Sequence, residues 1–404
     1  MTASPEKELP TRTKDAVASG AVEAFPRDDF DRNVWCVLGV PIDMADIEVA
    51  VGAIDAAARE RRPLSFVTPN VNWLVRAAND KGARRQMLNA DLSLADGAPL
   101  ALAARLLGAP LKGRVAGSDV FEALRRRPPF SNRRLRVFFF GGRDGAAQAA
   151  HDALGRSGGG LAPAGWLNPG FGDVASMSTD ETIGAINDAD ADFVVVALGA
   201  AKGQAWIDAN HARLTAPVIA HLGAVVDFTA GTIARAPHWV AASGLEWAWR
   251  IGQEPALWRR YFLDAIGLAR IGMFRLLPQI LAGRSRAAAA STVKLERLGG
   301  RTFIRLSGDF VGASIQPVRA AFRKAASYGA PVALDLGELG SVDGAFLGLV
   351  LMLEKSLPED ALEIAAASQR ARKLLAVNGM KYPAAPMAPS FSGEEDAGAQ
   401  AAAI

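Results

Sequence analysis

The chain has 404 residues, half of them hydrophobic, which is more than one ordinary core takes up, so two or three units are expected. Its formal charge of +3 is too small to imply nucleic acid as a partner, and it leaves room only for a local basic patch. The single cysteine, Cys36, excludes an internal disulfide, and four histidines, His151, His211, His221 and His238, are too scattered for a Cys/His metal cluster. That usage fits a reducing cytoplasm.

Residues 1–32, "MTASPEKELPTRTKDAVASGAVEAFPRDDFDR", are polar and punctuated by proline, without the apolar core of a secretion signal, and read as a flexible leader. No uninterrupted apolar run of about 18 residues occurs, so any membrane contact is expected to be peripheral. From Trp35 the chain alternates short apolar runs with helical patterns. "VWCVLGVPI" reads as a strand, "MADIEVAVGAIDAAARER" as a helix, and "LSFVTPN" as a strand followed by one helix over residues 71–88. "LSLADGAPL" leads into "ALAARLLG"; "RLRVFFFGG" and "ADFVVVALGA" are further strands that end in glycine, and "PVIAHLGAVVDF" closes the series. This rhythm predicts an α/β unit over residues 33–257 with a Rossmann-like, mostly parallel sheet.

In such sheets ligands gather outside the carboxyl ends of the strands, where helix N-termini present unpaired backbone donors. Thr68, Asn70, Asp96, Gly141, Gly142 and Gly199 all fall at such ends. Asp96, with no Cys, His or second carboxylate beside it in sequence, suits a single general base that takes a proton from an attacking hydroxyl. Asp, Thr and Asn are also preferred helix caps, and local pattern leaves both roles open. The only closely spaced aspartates suited to a metal, Asp188, Asp190 and Asp192 in "NDADADFVVV", precede their strand. They read as solvated turn residues on the wrong edge of the sheet, and no metal or cofactor is expected.

Several longer stretches, "TPNVNWLVRA", "LADGAPL", "LLGAPLKGRVAGSD", "FFFGGRDG", "GAVVDFTAGTIARAPHW" and "GLEWAWRIGQEP…RRY", occur in an order that resembles the WecG/TagA/CpsF family of bacterial glycosyltransferases. The resemblance covers about residues 34–261. It implies transfer of an N-acetylmannosamine-type sugar from a UDP donor to an undecaprenyl-diphosphate-linked sugar, without a metal. It assigns the catalytic base to Asp96 and pocket roles to Thr68, Asn70 and Arg114. Direct displacement with inversion follows if Asp96 deprotonates the acceptor, and the departing diphosphate then needs positive charge or backbone N–H groups. Arg114, Arg235, Arg250 and Arg260 supply guanidinium groups suited to phosphate; any one of them is equally a solvated surface residue. Gly141, Gly142, Lys202 and Asp227 complete the expected substrate contacts. One departure stands out: where relatives carry Pro-Lys-Gln-Glu, this chain has Ala201, Lys202, Gly203 and Gln204. The family's pocket glutamine falls on Gly203, with Gln204 as a replacement if the loop shifts by one residue; altered sugar specificity is the simplest consequence.

Residues 258–290 begin with a basic apolar helix, "WRRYFLDAIGLARIGMFRLLPQILAGRSR". Arg259, Arg270 and Arg284 share a face at about 100° per residue, whereas Arg260, Asp264 and Arg275 do not. Contact with the anionic inner face of the cytoplasmic membrane and packing between domains are both open from this pattern; the resemblance favours the membrane. Over residues 291–383, "RLSGDF", "VALDLGELGSVDGAFLGLVLML" and "RKLLAVNGM" resemble a STAS domain, a smaller α/β unit. Signalling members carry a phosphorylatable Ser after the Asp of its turn; here Gly344 follows Asp343, so a phosphoswitch is not expected there. Docking of a protein partner or self-association is the expected use, against a passive appendage. Residues 384–404 read as a disordered tail. Two functions stand: a membrane-associated glycosyltransferase of cell-surface or exopolysaccharide synthesis, and a degenerate nucleotide-sugar-binding protein that signals through its STAS-like unit.

Overall fold

Strands pair from apolar runs too short to be stable singly, and in the computed structural model they build two sheets and a hairpin. The structure describes residues 26, 28–129, 133–237, 239–240, 244–281 and 290–385; most of the expected leader and tail, and linker residues 282–289, lie outside them. The strands of the N-terminal unit are β1 (Val34–Val37), β2 (Val40–Asp43), β3 (Leu64–Val67), β4 (Leu92–Ser93), β5 (Leu135–Gly141), β6 (Leu161–Leu167), β7 (Phe193–Ala197) and β8 (Val218–His221). The last six form one wholly parallel sheet in the order β4-β3-β8-β7-β5-β6. Helices cover both faces, so the central strands are apolar throughout, as in the fully buried β7. Alternation sends Val137 and Phe139 to one face with Phe66, Phe121 and Phe193, and Phe138 and Phe140 to the other with Trp206.

Three sequence expectations change. "VWCVLGVPI" is not one strand of the parallel sheet: Leu38 and Gly39, both at positive φ, turn it into the antiparallel hairpin β1–β2. The single helix expected over residues 71–88 is two, Val71–Ala77 and Lys81–Asn89, because Asp80 caps the second by accepting from the Gly82 N–H. Asp192 is not solvated. It is fully buried and accepts hydrogen bonds from the Arg136 N–H and the Arg133 guanidinium. It does lie at the entry to β7, the edge away from the strand ends that matter below.

The C-terminal unit holds β9 (Thr292–Leu298), β10 (Arg301–Phe310), β11 (Val332–Leu336), β12 (Leu339–Val342) and β13 (Leu362–Ala367). They run in the order β12-β10-β11-β13, with β9 antiparallel on β10. Asp343 caps the helix Gly344–Ser356 through the Ala345 and Phe346 N–H groups. This helix is apolar on nearly all sides, "GAFLGLVLMLEKS", with nine buried residues, because it is covered twice: by its own sheet and by the β1–β2 hairpin. The contact is backbone to backbone. A Cβ on Gly348 would lie 1.9 Å from the Val34 carbonyl oxygen, and one on Gly344 2.5 Å from the Trp35 ring. Gly39 meets the Asn378 carbonyl in the same way, and Arg84, Glu354 and Tyr382 form a polar cluster at the seam. One apolar cluster therefore runs from Val37 and Ile42 through Leu88 to Phe322, Phe346 and Leu351. The helix that starts at the Asp343 turn packs on the hairpin of the same chain.

Alanine in place of a mid-helix glycine ordinarily stabilises by up to about 1 kcal/mol. Gly184→Ala, in a helix where the added Cβ meets nothing within 4 Å, is expected to show that gain in urea denaturation. Gly348→Ala is expected to lose about 1–3 kcal/mol instead, since overpacking against a carbonyl forces the two units apart.

Candidate active site

Pro69 ends β3, and Asn70 starts the next helix by accepting from the Asn72 and Trp73 N–H groups. Asn70 is thus a helix cap, the structural role that its residue type also allows. Thr68, just past the strand, lies against Gly117: a Cβ there would be 3.3 Å from the Thr68 side chain. The ladder between β3 and β4 continues beyond the formal strands, with the Leu94 N–H on the Val67 carbonyl and the Asp96 N–H on the Pro69 carbonyl, both at 2.9 Å. Val115 then donates to the Ala95 carbonyl at 2.7 Å. Asp96 is clamped between these two bonds.

Gly97 follows with φ +85° and ψ 141°, open only to glycine, and starts the helix Ala98–Leu106 with no side-chain cap. The cap position is therefore Gly97, and the Asp96 carboxylate, which accepts from the Gly97 N–H, faces Arg114. Arg114 Nη1 lies 3.9 Å from Asp96 Oδ1 and 3.3 Å from Glu246 Oε2, and Nη2 lies 3.7 Å from Asp119 Oδ2. Asp119 pairs in turn with Arg235 at 2.6 Å, and Arg235 also donates to Ser118 Oγ at 3.2 Å. The Arg235 and Arg250 guanidinium groups sit 5.6 and 5.9 Å from the centre of the Phe228 ring. Burial pushes the Asp96 carboxyl up to about 7; Arg114 opposes this, while Glu246 and Asp119 add to it. A carboxyl tuned to neutral pH at a strand end is suited to general base work.

The remaining predicted residues divide. Gly141 and Gly142, both at positive φ, carry β5 over the adjacent strand, where Gly142 donates to the Ala197 carbonyl at 2.8 Å. Lys202 donates to the Gly172 carbonyl at 2.6 Å and so ties down the loop after β6. Gln204 is 1% exposed and turned toward Asp208, and it and Gly203 both lie within the regular helix Ala200–Asn210. Asp227 accepts from the Thr232 hydroxyl at the end of the helix Gly223–Ala230. Arg260 lies 3.8 Å from the buried Asp264, whose other oxygen accepts from Asn72 Nδ2 at 3.0 Å. The structure thus joins Asp96, Arg114 and Arg235 through polar contacts, with Thr68 and Arg250 alongside, and holds Lys202, Gln204 and Arg260 in contacts of their own. A cavity of about 320 Å³ opens past Ser118, Phe228 and Arg235 but does not contain Asp96.

Sequence reasoning missed Asp119, Glu246 and His221. The first two lie within the quoted stretches "AGSD" and "GLEWAWR", but nothing local says that they meet Arg114. His221 ends β8 with its ring against Gly203, where a Cβ would be 2.1 Å away. Burial draws its imidazole down to about 4, and its buried Nε2 has no partner among the described residues. Gly203 is therefore the space for this ring. Among the described residues no group of three or more His, Cys, Asp or Glu is placed to hold a metal ion.

The "Glycosyl transferase WecG/TagA/CpsF family" matches residues 35–280, and "Mlab, STAS domain" matches residues 293–382. An N-acetylglucosaminyldiphosphoundecaprenol N-acetyl-beta-D-mannosaminyltransferase of Bacillus spizizenii is 30% identical over 222 residues, 54% of this chain and 84% of that protein. The protein of the same name from Bacillus subtilis is 26% identical over 197 residues, 49% of this chain and 73% of its own length. An anti-sigma factor antagonist from Mycobacterium paratuberculosis aligns with 25% of this chain and 92% of its own at 17% identity, with a TM-score of 0.23. With the family match spanning more than half of its length, this chain belongs to the WecG/TagA/CpsF glycosyltransferase family and carries a STAS domain after the transferase domain.

Proposed function

We propose that the transferase domain moves an N-acetylmannosamine-type sugar from UDP to a polyprenyl-diphosphate-linked sugar, with inversion and with Asp96 as the base. The observation that carries this reading is the uncapped Asp96 carboxylate, held at the strand ends beside Arg114 and tuned near neutrality. The ionised carboxylate takes the proton of the acceptor hydroxyl as that oxygen bonds to the anomeric carbon. The bond from that carbon to the diphosphate breaks, and UDP leaves with the electron pair. Arg114, Arg235 and Arg250 bring positive charge close to the place where negative charge grows. Both Bacillus relatives are named for a lipid-linked acceptor of this kind, which supports the acceptor class proposed for this chain.

A lipid-tailed acceptor calls for a membrane surface. The helix Trp258–Ile271 and its continuation to Leu281 bury Asp264 and Ile271 and seat Gly267 on Val75, so one side packs on the transferase domain. Its other side exposes Trp258, Phe262, Leu263, Ile266, Met273 and Phe274. No helix among the described residues is long and apolar enough to cross a membrane. An exposed apolar ridge with arginines beside it suits insertion into the headgroup layer of an anionic leaflet. The proposed location is therefore the inner face of the cytoplasmic membrane, held peripherally.

UDP release measured with a panel of UDP-sugars and a short-chain polyprenyl-diphosphate-sugar acceptor tests the reading. Asp96→Asn is expected to lose about 10²–10⁴-fold in turnover while still binding UDP; equal turnover in both proteins removes Asp96 as base. Because the base works ionised, kcat/KM is expected to climb about tenfold per pH unit below about 7 and to level off above it. A flat profile between pH 5.5 and 8 contradicts that. The double variant Phe262→Glu, Phe274→Glu, at two exposed positions, is expected to bind anionic vesicles at least tenfold more weakly in co-sedimentation with its fold intact.

A further inference from the structure

His221 is the last residue of β8, and its ring lies between the first turns of two helices, Ala200–Asn210 and Gly223–Ala230. A Cβ on Gly203 would fall 2.1 Å from His221 Cδ2 and 3.0 Å from Nε2, and one on Gly223 would fall 3.6 Å from Nε2 and 3.7 Å from Cε1. The edge made by Cδ2, Nε2 and Cε1 is thus turned inward, onto the two helices. Nε2 is buried without a partner; Nδ1 also has none among the described residues, but it is not shut off from solvent. A neutral imidazole carries one N–H. An orphaned buried N–H is rarer in proteins than an under-used acceptor, so the hydrogen belongs on Nδ1, the open side.

The ring stands at the carboxyl end of the sheet. Leu222, next along the chain, reaches within 2.3 Å of where a Cβ on Gly117 would be, and the Thr68 side chain borders the same point. Gly117 in turn starts the helix that carries Ser118 and Asp119. β8 pairs with β3, and β3 with β4, whose end leads to Asp96. Two strand spacings place His221 on the order of 10 Å from Asp96 across the strand ends, close enough for one nucleotide sugar to reach both. Neighbouring polar side chains are engaged elsewhere: Lys202 donates to the Gly172 carbonyl, and Gln204 turns toward Asp208. Because burial keeps the ring neutral, it suits an uncharged oxygen, and the diphosphate has the arginines.

We propose that His221 is a specificity-determining residue of the transferase domain: its Nδ1–H donates to a hydroxyl or carbonyl oxygen of the transferred sugar, and Gly203 is the room its ring needs. The proposal rests on the reading of this domain as a UDP-sugar transferase. It gives the absence of a side chain at 203 a use, since any side chain there would displace the imidazole.

The full-length protein with ¹⁵N-labelled histidine, titrated with UDP and with UDP-N-acetylmannosamine, tests this. Nδ1 of His221 is expected to be the protonated nitrogen, and its signal to move with the UDP-sugar and stay in place with UDP. His221→Phe fills the room without a donor, and is expected to raise the Kd for the UDP-sugar about three- to tenfold, with kcat and the Kd for UDP changed less than about twofold. His221→Asn keeps an N–H near the place of Nδ1 and is expected to stay within about twofold of the wild type. A ring that serves packing alone predicts the reverse order, because Phe fills the space and Asn leaves a hole. Gly203→Ala is expected to weaken UDP-sugar binding as His221→Phe does. The proposal falls if His221→Phe binds the UDP-sugar as the wild type does, or if UDP alone moves Nδ1 as far as the UDP-sugar. A wild type that binds UDP but no UDP-N-acetylmannosamine overturns the donor reading and this assignment together; a bound UDP-sugar that leaves His221 unmoved overturns His221 alone.

Discussion

Everything proposed for the transferase domain turns on one partly buried carboxylate with a divided counter-ion. Asp96 is fixed by backbone bonds on both sides, so its position costs the side chain nothing: the carboxylate caps no helix. Its nearest cation, Arg114, is drawn more closely to Glu246. A full ion pair with Arg114 would ionise Asp96 at any ordinary pH and weaken it as a base; no partner at all would leave it neutral through the working range. The arrangement around Asp96 lies between these two limits.

The STAS domain has a second physical constraint at its centre. An almost wholly apolar helix can be buried only if two surfaces cover it, and here the second surface is the β1–β2 hairpin of the transferase domain. Glycines at 39, 344 and 348 let backbones approach closer than any side chain allows. Gly344 sits where signalling relatives are expected to carry serine, and in this chain that position is pressed against Trp35. The hairpin is linked onward to the sheet, because Asp43 accepts from the Ser93 N–H at the end of β4 and pairs with the buried Arg32. β4 leads directly to Asp96. The STAS domain is in this way built into the support of the strand that leads to Asp96, the proposed base.

The same economy appears at Gly203 and His221. A side chain at 203 would displace the imidazole, and the imidazole fills the only room that a glycine there leaves. Two residues that look unrelated in the linear chain, Gly203 and His221, are one packing unit. The loss of an expected glutamine at 203 is thus matched by a neutral histidine at the end of the adjoining strand, with a buried nitrogen that no described residue satisfies.

What could be read from sequence alone was whatever depends on neighbours along the chain. Periodicity revealed an α/β sheet, strand ends located Thr68, Asp96, Gly141 and Gly142, and ordered motifs pointed to the family, because burial period and turn chemistry are local properties. The errors came where a distant partner decides. The β1–β2 hairpin looked like a sheet strand because its apolar residues face a helix some 300 positions away, as β1 and Gly344–Ser356 show. Asp192 looked solvated because the groups that satisfy it, from Arg136 in β5 and from Arg133 just before it, lie more than 50 residues away in sequence. Asn70 and Asp96 look alike in local pattern, and the path of the following backbone makes Asn70 a helix cap while giving the cap position after Asp96 to Gly97. Which carboxylates share Arg114 with Asp96 is a matter of side chains 132 and 5 residues distant from Arg114 meeting in space, and no local rule contains that information: long-range packing alone brought these charges together.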